Sequence, residues 1–168
     1  MSASPAQTPS SHPPDTPTAR PRGHKSKTLA TWLALVGGSL GLHRFYLSGW
    51  RDVWGWLYPL PTLLGLAGVQ RMRAFGQDDQ VAWLLIPLLG LALSAAMLSA
   101  IVYGLTSDER WRARHNPGEE EPEASGWGAV IGVMIALLVG AGVLMATIAF
   151  SGQRYFEHQV EEARKLSQ

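Results

Sequence analysis

Two stretches of this chain, Val81 to Leu105 and Trp127 to Phe150, contain no acidic residue, no basic residue and no histidine. Each exceeds the roughly 20 apolar residues a helix needs to cross a hydrocarbon core about 30 Å thick. Both are therefore predicted transmembrane helices. Two shorter apolar runs lie upstream: Thr28 to Leu42, stopped by His43 and Arg44, and Val53 to Gln70, stopped by Arg71. Each is marginal alone, but snorkelling ends and a shared hairpin make insertion feasible. The pattern predicts an all-α, polytopic integral membrane protein with four transmembrane helices in two hairpins: about 28–42 with 53–70, then 81–105 with 127–150. Residues 106–126 read as a polar acidic loop. Residues 151–168 read as a polar, helical tail with Phe156, Val160 and Ala163 on one face. Residues 1–24 carry six prolines among Ser, Thr and Ala and are predicted disordered.

Tryptophan and charge placement refine this picture. Indoles favour the membrane interface, and Trp32, Trp50, Trp54, Trp83 and Trp127 all fall near predicted helix starts. With four spans, nine Lys and Arg residues share one side: Arg20, Arg22, Lys25, Lys27, Arg71, Arg73, Arg154, Arg164 and Lys165. The other side receives Arg44, Arg51, Arg110, Arg112 and Arg114. The positive-inside rule then places both termini in the cytoplasm of a bacterial-type inner or plasma membrane. The polar tail precedes the first apolar run without a small-residue cleavage site, so no signal peptide is expected. Cysteine is absent, which removes disulfides and thiolate metal sites.

Helices in lipid associate through close backbone approach at small residues. The third helix offers Ala92, Ala96, Ala100 and Gly104; the fourth offers Gly128, Gly132, Ala136 and Gly140. These two stripes are candidates for helix packing and point to a pair. The first helix has Ala30, Ala34 and Gly38, with Gly37 and Gly41 beside them. Pro59, Pro61 and Pro87 are expected to bend their helices by removing backbone donors.

The segment Gly37 to Gly49, GGSLGLHRFYLSG, places a histidine, an arginine and two aromatics on a glycine-rich backbone between two apolar runs. A charge costs roughly 2.5 to 3.5 kcal/mol at the centre of an inserted helix, so Arg44 calls for a specific role. With its basic flank from Lys25, this segment resembles the TM2 domain family over Lys25 to about Arg73, matching the family at Gly37, Gly38, Gly41, His43, Arg44, Phe45 and Tyr46. The resemblance implies a basic flank, a short helix, a turn and a second short helix over 25–73. It supplies no activity. Family members often carry an Asp near the end of the second helix; here that position falls on Gln70, which speaks against an intramembrane Arg–Asp pair with that helix end. In the eukaryotic branch the turn is cytosolic, opposite to the orientation the charge count gives.

Catalytic chemistry finds no foothold. The five histidines form no HExxH or HxxxH pair, and neither a GxSxG elbow nor a GxxxxGK[ST] loop occurs. Asp78 and Asp79 read as a solvated turn, and Glu119, Glu120, Glu121 and Glu123 as a solvated loop without calcium-ligand spacing. A net charge of +1 argues against nucleic acid as a partner. No catalytic, cofactor or metal residue is assigned. The expected partners are the lipid bilayer and other membrane proteins or a second copy. For His43 to Tyr46 two roles stand open: an interfacial anchor, or a recognition turn with Arg44 as the cation. The expected function is a non-catalytic scaffold or regulator of other membrane components; the alternative is a subunit of an oligomeric channel or transporter.

Overall fold

The computed structural model describes residues 24–118 and 124–167, and every regular element among them is a helix. The predicted disorder of 1–24 and the acidic run 119–123 fall outside the described residues, apart from His24. α1 (Lys27–Gly37) leads through a 3-10 turn (Gly38–Leu40) into α2 (Leu42–Ser48). Then come α3 (Val53–Leu57), α4 (Pro59–Phe75), α5 (Gln80–Leu105), α6 (Asp108–His115) and α7 (Trp127–Leu166).

Two of these helices, α5 and α7, are long and apolar enough to cross a membrane by themselves. They expose Leu84, Leu91, Leu98 and Val102 on α5, and Met134, Leu138 and Met145 on α7. Apolar exposure on this scale suits a helix whose solvent is lipid. α5 is the central element, packed on α4, on α7 and on α1. Its contacts follow small residues. A β-carbon on Gly68 of α4 would come within 2.6 Å of Leu85, and one on Gly65 would collide with Leu89, so α4 and α5 run antiparallel with backbones nearly touching. Ala34 of α1, Ala96, Met97 and Ala100 of α5, and Ala136 of α7 form the buried cluster.

The stripes expected to pair α5 with α7 divide between two neighbours. Ala92, Ala96, Ala100, Gly132, Ala136 and Gly140 are buried; Gly104 and Gly128 are half-buried. Gly140 lies against Met97, and Gly104 against Val133 and Ala129. Gly128 and Gly132, however, face Thr28 and Thr31 of α1, and Trp32 Nε1 donates to the Gly128 carbonyl at 3.2 Å. Ala96 meets Gly38. The small residues of α5 and α7 thus make a slot that holds α1.

The first predicted helix, 28–42, does not run as one. α1 stops at Gly37 after 11 residues, about 16 Å at the helical rise and half of a hydrocarbon core. Gly41 then adopts a left-handed conformation (φ +76°) and α2 returns alongside α1. The return is pinned where Tyr46 Oη accepts the Ser26 N–H at 3.0 Å and Lys25 Nζ donates to the Leu47 carbonyl. Gly38 packs on Ala96, near the middle of α5, so α1 descends to that depth and the chain comes back.

This reversal corrects the expected sides. The N-terminal flank and the 106–126 segment were expected on opposite faces, yet they are clasped together. Lys27 pairs with Asp108 at 2.5 Å, Lys25 N–H donates to Asn116 Oδ1 at 3.0 Å, and Trp111 Nε1 donates to the Lys25 carbonyl at 2.7 Å. An apolar segment that turns back leaves both its ends on one face. The loop itself is partly ordered as α6, whose N-cap Ser107 accepts from Arg110 N–H. The second predicted helix extends past Gln70 as α3 and α4, joined by Tyr58, which keeps helical angles (φ −59°, ψ −41°) ahead of Pro59. The fourth predicted helix and the tail are one 40-residue helix, α7.

Candidate functional site

The family-like residues converge on the α1–α2–α3 corner. Gly41 is held twice over: its φ favours glycine, and a β-carbon there would stand 2.5 Å from the Gly55 carbonyl oxygen. That proximity brings α3 against the turn. His43 is 1% exposed, edge-on to Tyr58 (centroids 5.2 Å) and tilted against Tyr103 (5.7 Å). Its Nδ1 has no hydrogen-bond partner among the described residues. Phe45 stacks on Trp50 and meets Trp56 edge-on, both at 5.3 Å, where the absent side chain of Gly55 makes room for its ring.

Arg44 Nε donates to Asp52 Oδ2 at 2.8 Å, and Asp52 Oδ1 accepts the Trp54 N–H to cap α3. The hydrogen bond from Arg44 holds the Asp52 carboxyl below its ordinary range. The acid partner of Arg44 lies eight residues on, at the start of the next helix and not at its far end, a partner that the sequence analysis did not single out.

The same device recurs 27 residues later, a repeat the sequence reading missed. Arg44, Gly49, Asp52 and Trp56 correspond to Arg71, Gly76, Asp79 and Trp83. Gly49 (φ +83°, ψ 176°) and Gly76 (φ +91°, ψ −175°) end their helices in the same glycine-favouring conformation. Asp79 caps α5 and takes Arg71 Nε at 2.8 Å, which holds its carboxyl below the ordinary range. Trp56 Nε1 donates to the Trp50 carbonyl, and Trp83 Nε1 to the matching Gln77 carbonyl. The signal was legible as an Arg followed by Gly five, Asp eight and Trp twelve residues on. A device used at both ends of α3–α4 is a helix-corner clamp, so Asp52 and Asp79 act as caps with a cationic partner.

Beside the corner, α6 closes over the chain. Asp108 takes Lys27 and both the N–H and hydroxyl of Ser125; Lys27 first, then Ser125, lower its pKa to about 2. His115 lies tilted against Trp111, ring centroids 4.1 Å apart, and burial pushes its imidazole below the ordinary value. Among the described residues no cluster of His, Asp or Glu is placed to hold a metal ion.

An all-helical membrane protein whose N-terminal third is a glycine-cornered helical hairpin, clamped to its neighbours by Arg–Asp caps, is the class that fold and site define. Residues 23–72 match the family model of the TM2 domain, so this N-terminal segment is similar to that family. The match covers less than a third of the 168 residues and stops before α5. No curated protein and no solved structure matches the chain.

Proposed function

We propose that this chain is a non-catalytic scaffold or regulator of other membrane components. The observation that carries the reading is that the motif side chains turn inward. His43, Phe45 and Tyr46 spend their contacts on Tyr58, Tyr103, Trp50, Trp56 and Ser26, as a residue set does when it builds a rigid platform. The faces left over are apolar and lipid-directed on α5 and α7, together with the part of α7 beyond Phe150, where Tyr155, Phe156 and Val160 are exposed. Such faces suit lateral association in the bilayer.

The reading includes a topology. α3–α4, α5 and α7 cross the membrane, while α1–α2 enters and leaves on one face. That face carries Lys25, Lys27, Arg51 and the three arginines of α6, and with Arg44 it holds seven of the 12 Lys and Arg residues among the described residues. By the positive-inside rule it is cytoplasmic, and the C-terminal tail is on the opposite side.

Purification of the full chain in mild detergent followed by mass spectrometry tests the function. Stoichiometric foreign membrane subunits support the scaffold. A homo-oligomer that conducts solute when reconstituted overturns it in favour of the channel or transporter subunit.

A further inference from the structure

At the face where α5 ends, a cavity of about 410 Å³ opens between α2, α5 and α6. Its cations are Arg44 from α2 and Arg110 and Arg114 from α6, with His115 beside them; no carboxylate lines it. Arg110 and Arg114 stand four residues apart on one face of α6, both exposed, and neither has an ion-pair partner among the described residues. Arg44 gives Nε to Asp52, which leaves its terminal nitrogens available, and its side chain is 33% exposed. Three guanidinium groups around one hollow repel each other unless an anion joins them. His115 Nδ1 is a further buried nitrogen without a hydrogen-bond partner.

Leu47 and Val102 give the cavity an apolar border. Val102 lines it and is exposed, and Leu98 and Leu91 lie below it on the same lipid-directed face of α5. The hollow therefore has a cationic end, at the level where α5 gives way to α6, and an exposed apolar stripe of α5 runs on from its Val102 border. Basic pockets between helices at the headgroup level take acidic lipids.

We propose that this cavity binds an acidic phospholipid, its phosphate held by Arg110, Arg114 and Arg44 and one acyl chain laid along Val102, Leu98 and Leu91. The planar guanidinium forks match phosphate oxygens in pairs, which lysine does not reproduce. The site goes beyond the scaffold reading and does not depend on it, since a lipid site stands or falls without any protein partner. Two of its three cations lie in α6, outside the TM2 domain match.

The test uses the full chain in a neutral detergent, with bound lipid read by native mass spectrometry after adding phosphatidylglycerol or phosphatidylcholine. Phosphatidylglycerol is expected to bind at least about tenfold more tightly. Arg110→Gln with Arg114→Gln lowers that binding at least about tenfold, and each single variant gives part of the loss. The lipid-free melting temperature stays put, because neither side chain makes an ion pair in the fold. Arg73→Gln, an exposed arginine at the other end of the molecule, leaves lipid binding unchanged. Equal binding of the two lipids, full binding by the double variant, or an equal loss in Arg73→Gln overturns the proposal. Complete competition by inorganic phosphate or glycerol 3-phosphate at the same concentration also overturns it, and assigns the cavity to a free phosphate compound.

Discussion

Gly41 offers the sharpest test of the reversed hairpin, because two separate costs meet there and different substitutions separate them. An L-residue in the left-handed region costs roughly 1 to 2 kcal/mol, and Asn bears that conformation more easily than Ala. Space is the second cost. A β-carbon at Gly41 would lie 2.5 Å from the Gly55 carbonyl oxygen and 3.1 Å from Tyr58 Cβ. The first of these is backbone, so the helix α3 has to move, and overpacking of this kind costs about 1 to 3 kcal/mol. Gly41→Ala is therefore expected to lose about 2 to 5 kcal/mol, and Gly41→Asn to recover only the dihedral part, about 1 kcal/mol of it. At Gly49 no atom stands within 4 Å of the added carbon, so Gly49→Ala bears backbone strain alone. Reversible unfolding in a detergent series, followed by tryptophan fluorescence from Trp50, Trp54 and Trp56 around the corner, gives all three values under one condition. A Gly41→Asn variant within about 0.5 kcal/mol of the natural protein refutes the contact between turn and α3, since only an open turn tolerates that side chain.

Topology can be read from an impermeant maleimide and single cysteines at Ser10, Ala113 and Ser167 in this cysteine-free chain; Ser10 and Ala113 should label from one side and Ser167 from the other. Labelling of Ser10 together with Ser167 instead restores the four-span arrangement. The two corner clamps should be energetically alike, so Asp52→Ala and Asp79→Ala each destabilise the fold by similar amounts through the lost cap and its cationic partner; a silent Asp79→Ala breaks the equivalence. The clasp of α6 should be acid-sensitive in one direction only. Because the Asp108 pKa is lowered to about 2, its contribution is complete above the ordinary carboxylate value of 3.8 and is lost as pH falls through about 2. Trp111 fluorescence should report that opening, and Asp108→Asn should weaken the clasp at neutral pH while removing the acid transition; an unchanged acid transition in that variant sinks the assignment.

What the sequence determined by itself was the solvent and the local grammar. Two uncharged runs longer than a bilayer demand lipid whatever their neighbours do, because unpaired backbone groups and charges are too costly there, and both appear as the uninterrupted helices α5 and α7. The glycine spacing and the HRFY residues were enough for the family resemblance, which the match at residues 23–72 bears out. The existence of a chain reversal near Gly41 and Gly49 was legible too, since glycine is the residue that supplies positive φ cheaply. Which way the first apolar segment goes was not. A run of 15 residues that is marginal for crossing can span or fold back, and the choice rests on contacts that no local window contains: Gly38 on Ala96, Tyr46 on Ser26, Lys27 on Asp108. The same limit hid the cationic cavity, whose members lie up to 71 residues apart and become neighbours only when α6 closes over α2. Hydropathy is a property of each segment against its solvent, whereas pairing and sidedness belong to segments against each other, and that second set of energies exists only in the folded molecule.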